Sequence, residues 1–296
     1  NIRQMNQFLV MQKKYSTFPD DKNLKWEAQV RFFRAYIYFQ LAKRHGGVIL
    51  YDDLPTSNDK ARSTAAETWQ FIADDLDFAS TNLPKEWDAA NKGRVTKGAA
   101  YALKSRAMLY AERWQDAYDA ANNVIALKLY GLTDKYEDAW KGNNKEAILE
   151  FDYDAANGPN HLFDRYYVPQ CDGYDNGSTG TPTQEMVECY ESKNGEKIDR
   201  SNSSQLAKGA LPLKYGMDPD MKDGQSGIDV VIYRYADVLL TLAECINRNE
   251  GSPTTEAIGL VNRVRKRAGL SELDDAQTAS GCLLYTSPSP RDTERS

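Results

Sequence analysis

The sequence predicts an all-α dominated fold: a tetratricopeptide-like scaffold of helical hairpins that carries one long irregular, loop-rich insertion with short strands. Three observations predict it. Apolar residues recur at helical spacing over residues 24–127 and again over residues 233–268. Between these blocks, residues 128–232 largely lose that period. Two of the periodic segments follow each other so closely, around Tyr110–Trp114, that only an antiparallel helical hairpin joins them.

The first strong helix is expected over Leu24–Arg44, with Trp26, Val30, Phe33, Ile37 and Leu41 sharing one face. Gly46-Gly47 stops it, because glycine adopts positive φ at little cost, and the extended piece VILYDDLP follows. Thr64 and Glu67 make a capping box that opens the next helix. Its stripe is Trp69, Ile72, Leu76, Ala79 and Leu83, ended by Pro84. Thr96 caps a third helix through Ala99, Leu103, Ala107 and Tyr110.

A fourth helix places Trp114, Ala117, Tyr118, Ala121, Val124 and Ile125 on one face. Small residues on these two helices allow close approach, and the pair matches a helix–turn–helix repeat of about 34 residues. AILEFDY, Ala147–Tyr153, reads as a short strand. The helical period returns with Tyr235, Val238, Leu239, Leu242, Ala243 and Ile246. Ser252-Pro253 then reads as the N-cap and first residue of a sixth helix bearing Ala257, Ile258, Val261 and Val264. The basic residues of its VNRVRKR run are expected to face water.

Composition narrows the function. A formal net charge of −6 over 296 residues argues against a general nucleic-acid binder, which needs a positive footprint. No stretch approaches the roughly 20 apolar residues of a membrane span. Four cysteines form no CxxC pair and only two histidines accompany them, so a metal site is not expected. A Cys171–Cys189 disulfide and unpaired buried thiols both stay open. There is no GxSxG, HExxH, P-loop or dinucleotide fingerprint, and the clustered carboxylates read as solvated faces. A non-enzyme without cofactors is expected.

Three blocks carry a likeness to a known family. FFRAYIYFQLAKRHGGVILYDDLP, Phe32–Pro55, resembles the first shared block of the SusD/RagB family. RVTKGAAYALKSRAMLYAERWQDAYDAANNVI, Arg94–Ile125, is similar to its central block. YRYADVLLTLAECIN with EAIGLVNRVRKRAGL resembles its third, and all three stand in the family's order. The resemblance implies a nutrient-binding lipoprotein on the outward face of the outer membrane. It implies an oligosaccharide ligand, a SusC-like TonB-dependent transporter as partner, and attachment through a lipid anchor that lies outside this chain. Residues 1–270 are then expected to be a partial domain of this family, truncated at both ends. The tail, residues 271–296, is expected to be non-native from about Gly281, because GCLLYTSPSPRDTERS resembles translated vector or adapter sequence.

The ligand region is expected within residues 128–232. RYYVPQCDGYDNGSTGTP places Tyr166, Tyr167 and Tyr174 among Arg165, Gln170, Asp172, Asp175 and Asn176. Pyranose rings offer C–H faces that stack on aromatic rings and hydroxyls that need convergent donors and acceptors, and these residues supply both. Trp87, Trp140 and Phe163 are further aromatic candidates. Arg234 and Asp237, which bracket Tyr235, read as helix-start structure rather than ligand contacts. The rival function is a tetratricopeptide-type protein–protein adaptor without sugar binding.

Overall fold

The computed structural model describes residues 1–52, 54, 59–154, 157–161 and 226–273. The chain divides into two compact units, Asn1–Leu129 and Tyr130–Ser296.

The first unit is helical. It contains α1 (Ile2–Tyr15), α2 (Asp20–His45), α3 (Ala65–Asn82), α4 (Lys97–Tyr110) and α5 (Trp114–Ala126). Successive helices pack on one another, α1 on α2, α2 on α3, α3 on α4 and α4 on α5. The capping box at α3 forms as expected: Thr64 Oγ1 accepts from Glu67 N at 3.2 Å, and Glu67 Oε2 accepts from Thr64 N at 2.7 Å. These hydrogen bonds hold the Glu67 carboxyl below the usual carboxylate range. Thr96 caps α4 by accepting from Ala99 N.

One expectation about α2 is corrected. The residues buried in the core are Ala28, Phe32, Ala35, Tyr38, Phe39 and Ala42. Phe39 meets Trp69 and Tyr110, while Tyr38 meets Phe71, so this face lies against α3 and α4. The expected stripe lies roughly 160° away around the helix; its Trp26, Val30, Ile37 and Leu41 are half-buried and Phe33 is 40% exposed. α2 is apolar on two faces, so periodicity alone does not choose between them.

Gly46 and Gly47 end α2 for two separate reasons. Gly46 has φ 67°, where a side chain is strained. A Cβ on Gly47 would stand 2.1 Å from the carbonyl oxygen of Ser63, so the backbone of the next segment fits only over a glycine. The piece that follows forms no strand at residues 48–52. Side chains take its polar groups instead: Thr68 Oγ1 accepts from Val48 N, Tyr38 Oη accepts from Tyr51 N, and Asn6 Nδ2 donates to Tyr51 O.

The core of this unit holds a buried ion pair. Arg34 donates from Nε and Nη2 to the two oxygens of Asp75, both at 2.7 Å, and from Nη1 to Asn6 Oδ1 at 2.8 Å. Arg31 approaches Asp75 at 3.6 Å. Burial pushes the Asp75 carboxyl above the usual range, against the pull of Arg34.

The second unit combines β1 (Ala147–Phe151) and β2 (Val230–Arg234), paired antiparallel, with α6 (Tyr235–Glu250) packed on α7 (Thr255–Arg267). The expected strand at Ala147 forms, and Tyr235, Val238, Leu239, Leu242, Ala243 and Ile246 are all buried along α6. Cys245 is buried among them and its thiol is pushed up to about 12, so it stays protonated at neutral pH. The start of α7 is corrected: Thr254, not Ser252, is the N-cap, accepting from Ala257 N at 3.2 Å. The reading of VNRVRKR as a water-facing basic run is also corrected. Arg265 is buried and donates to Ser271 O, and the Arg267 side chain is only 5% exposed.

Candidate ligand-binding region

The buried side of Arg267 leads to Glu146, immediately before β1. Glu146 is fully buried. Its Oε2 accepts from Arg267 Nη1, from Thr133 N at 2.9 Å and from Thr133 Oγ1 at 2.9 Å. Its Oε1 accepts from Arg234 Nη1 at 3.2 Å. Arg234 also donates to Asp237 at 3.2 Å, so two guanidinium groups face two carboxylates and the charges balance. The Arg234 guanidinium lies 4.1 Å from the ring centroid of Trp140, and that of Arg267 lies 5.5 Å from Tyr136.

This settles several candidates. Arg234 and Asp237 are structural, as the sequence suggests: Asp237 accepts from Arg234 N at the start of α6. Trp140 is not a platform for a sugar, because it is 4% exposed and packed against Arg234 and Val231. Trp87 is half-buried and donates from Nε1 to Val95 O at 2.8 Å. Arg165, Tyr166, Tyr167, Gln170, Asp172, Tyr174, Asp175 and Asn176 lie outside the described residues, as do Phe163, Cys171 and Cys189.

What is described is the neck from which that segment departs. After β1, Asp154 organises a tight turn: its N–H donates to Pro159 O at 2.8 Å, and its carboxylate accepts from Asn157 N at 3.1 Å. The turn brings His161 beside the returning chain, where His161 and Ser226 exchange two backbone hydrogen bonds of 3.1 and 2.9 Å. Asp229 Oδ1 accepts from Tyr153 N at 2.8 Å, tying the same two chain directions together one step closer to the sheet.

The carboxylates of Glu150, Asp152 and Asp229 approach within 4.8 Å of one another at this neck. Backbone amides already occupy part of the trio, since Asn143 N donates to both oxygens of Glu150 at 3.0 Å. Hard oxygen donors of this kind suit a divalent cation such as calcium, which takes about 6–8 oxygens. Sequence reasoning missed Glu146, Asp229 and His161 as organising residues. No local signal marks them, because each depends on a partner far along the chain: Tyr153 for Asp229, Ile228 for His161 and Arg267 for Glu146, 76, 67 and 121 residues away.

The comparisons with known proteins bear on the whole chain. Residues 207–287 match the model of the SusD family, and residues 1–109 match a second model of the group, described as starch-binding and associating with the outer membrane. The chain belongs to the SusD/RagB family. A SusD-like protein of Bacteroides ovatus is 26% identical over 305 aligned residues, taking in 83% of this SusD-family chain and 53% of the relative. A solved SusD-like protein of Bacteroides fragilis is 28% identical with a TM-score of 0.72, covering 94% of this chain and 68% of that one. Another B. fragilis structure, of a SusD-like carbohydrate-binding protein, has a TM-score of 0.78 at 24% identity, covering 92% and 64%; it shows the shared fold. The chain spans about half the length of the first two curated relatives it matches. Among the described residues, no helix is long and apolar enough to cross a membrane.

Proposed function

We propose that this SusD-family chain captures an oligosaccharide, or another polymer-derived nutrient, at the bacterial cell surface without catalysing a reaction. It then passes the ligand to a TonB-dependent outer-membrane transporter of the SusC type, beside which a lipid anchor holds it. The observation that carries this reading is the pair of family matches, residues 1–109 and 207–287, one of them to a group described as starch-binding and associating with the outer membrane. Both scaffold blocks flank the segment where sequence composition places the ligand contacts. In that segment Tyr166, Tyr167 and Tyr174 would stack on sugar rings, and Arg165, Gln170, Asp172, Asp175 and Asn176 would orient hydroxyls.

Calorimetric titration of the protein with maltoheptaose, laminarin and a xylogluco-oligosaccharide tests the reading. Each single Tyr→Ala change at 166, 167 or 174 is expected to weaken the bound glycan about tenfold. Wild-type affinity in the triple variant would overturn the site. The second reading, an adaptor that binds protein and no sugar, draws on the half-exposed apolar stripe of α2 with Phe33 at its centre. A wild-type protein that binds none of the three glycans would favour it.

A further inference from the structure

We propose that the outward face of α1 docks the protein on an anionic lipid surface. The proposal rests on the cell-surface reading above and is independent of which nutrient is bound.

α1 is apolar on two faces. Ile2, Met5 and Leu9 are half-buried on the side that packs against α2. Fully buried Asn6 fixes that side: its Nδ2 donates to Tyr51 O at 2.9 Å, and its Oδ1 accepts from Arg34 Nη1 at 2.8 Å. The helix is thus held against rolling, and its second stripe faces out. Phe8, Met11 and Tyr15, spaced i, i+3 and i+7, fall within about 60° of one another, and they are 40–63% exposed. Phe18 follows at the corner into α2, also exposed, and meets Trp26 edge-to-face with ring centroids 4.9 Å apart.

Charge points to what covers this face. Residues 1–19 carry Arg3, Lys13 and Lys14 and no acidic side chain, in a chain whose formal net charge is −6. Arg3 and Lys14 lie together about 90° to one side of the apolar stripe, and Lys14 Nζ stands 5.0 Å from the Tyr15 ring centroid. At the corner, Lys22 Nζ lies 4.2 Å from the Phe18 ring centroid and 4.9 Å from that of Trp26. Helix-end cations complement the dipole wherever they stand. The dipole gives no reason for three large apolar side chains to stay in water beside them. Apolar groups flanked by cations, with no carboxylate among them, match the boundary between acyl chains and anionic headgroups. A second copy presenting the same face would set these cations against their own kind. The stripe also lies within residues 1–109, which match the group described as associating with the outer membrane.

Flotation of the full chain with two kinds of vesicle tests the proposal: phosphatidylcholine alone, and phosphatidylcholine mixed with phosphatidylglycerol. Binding is expected to the mixed vesicles only, and it should weaken as salt rises. Phe8→Ser and Met11→Ser should each weaken it about tenfold, since each removes a large apolar side chain from the docked face. Lys14→Gln should weaken it about fivefold. Lys13→Gln removes the same charge roughly 170° from the stripe, and should leave binding near wild type. All four positions are exposed, so the variants should melt close to wild type. Wild-type protein that stays off the mixed vesicles would overturn the proposal, as would Phe8→Ser and Met11→Ser variants that bind like wild type. Equal losses from Lys13→Gln and Lys14→Gln would reduce the effect to net charge and overturn it too. So would a lipid-free dimer that Phe8→Ser dissolves, which would give the face to a second copy. Protease accessibility on intact cells tests the cell-surface reading by itself: a fully protected protein would overturn that reading whatever the vesicles show.

Discussion

In the N-terminal unit, Asp75 meets Arg34 across α2 and α3, helices that follow each other in the chain and place the partners 41 residues apart. In the second unit, Glu146 meets Arg234 and Arg267, which arrive 88 and 121 residues later. Both sites bury a carboxylate and satisfy it with arginine, yet they join different things. The first fastens neighbouring helices that already share an apolar face. The second fastens the start of β1 to the α6–α7 pair across a long intervening stretch of sequence. A buried ion pair contributes little net stability over an apolar replacement, but losing one partner leaves the other charge stranded. The cost of disruption should therefore be high in both units, and the functional reach greater in the second.

The sharpest test of that contrast is Glu146→Ala, which strands the guanidinium groups of both Arg234 and Arg267. A loss of about 3–5 kcal/mol is expected in urea denaturation, together with weakened glycan binding. Asp75→Ala should lose about 3 kcal/mol by the same measurement. Its damage should fall on the helical unit, leaving affinity for glycan close to wild type in the folded fraction. Equal effects of the two changes on affinity would break the comparison.

Gly47→Ala comes next. Its Cβ would meet Ser63 O at 2.1 Å, so the backbone at the entry to α3 must shift. The expected loss is about 1–3 kcal/mol, as for overpacked sites in general. Thermal melts of the variant read it directly.

Smaller still is the cap of α3. Thr64→Ala should cost about 1 kcal/mol. The Glu67 carboxyl on the same cap is held below its ordinary value, so its contribution is present above the unfolded-state value and lost as pH falls through the folded one. Stability differences between wild type and Glu67→Gln should thus shrink on acidification below the usual carboxylate range. A difference that grew on acidification would contradict the capping geometry.

Local signals were legible where a single segment settled the outcome. Thr64 with Glu67 and Thr96 with Ala99 lie within one helical turn, and α6 shows one apolar stripe, so neither needs a distant partner. The face of α2 was not legible, because Trp26 and Phe33 are as apolar as Phe32 and Phe39 and only the neighbouring helices select between them. Ser252 and Thr254 are both cap-type residues, two positions apart, and in the folded chain it is the Thr254 hydroxyl that accepts from Ala257 N. In VNRVRKR, the sequence shows four cations on an amphipathic helix; the position of Glu146 turns Arg267 inward. The expected ligand residues from Arg165 to Asn176 lie outside the described structure, and their role rests on composition and family.

The sequence by itself determined the helix-dominated class, the helix starts capped by Thr64 and Thr96, the strand at Ala147 and the family, because these depend on spacing within short windows or on words such as RYADVLL. Tertiary structure alone decided which face of α2 is buried, that Trp140 packs against Arg234, and that Glu146, Asp229 and His161 tie the chain around β1 to the chain around β2. Those outcomes depend on groups brought together from distant parts of the sequence, and no local pattern records what the folded chain places on the far side of a side chain.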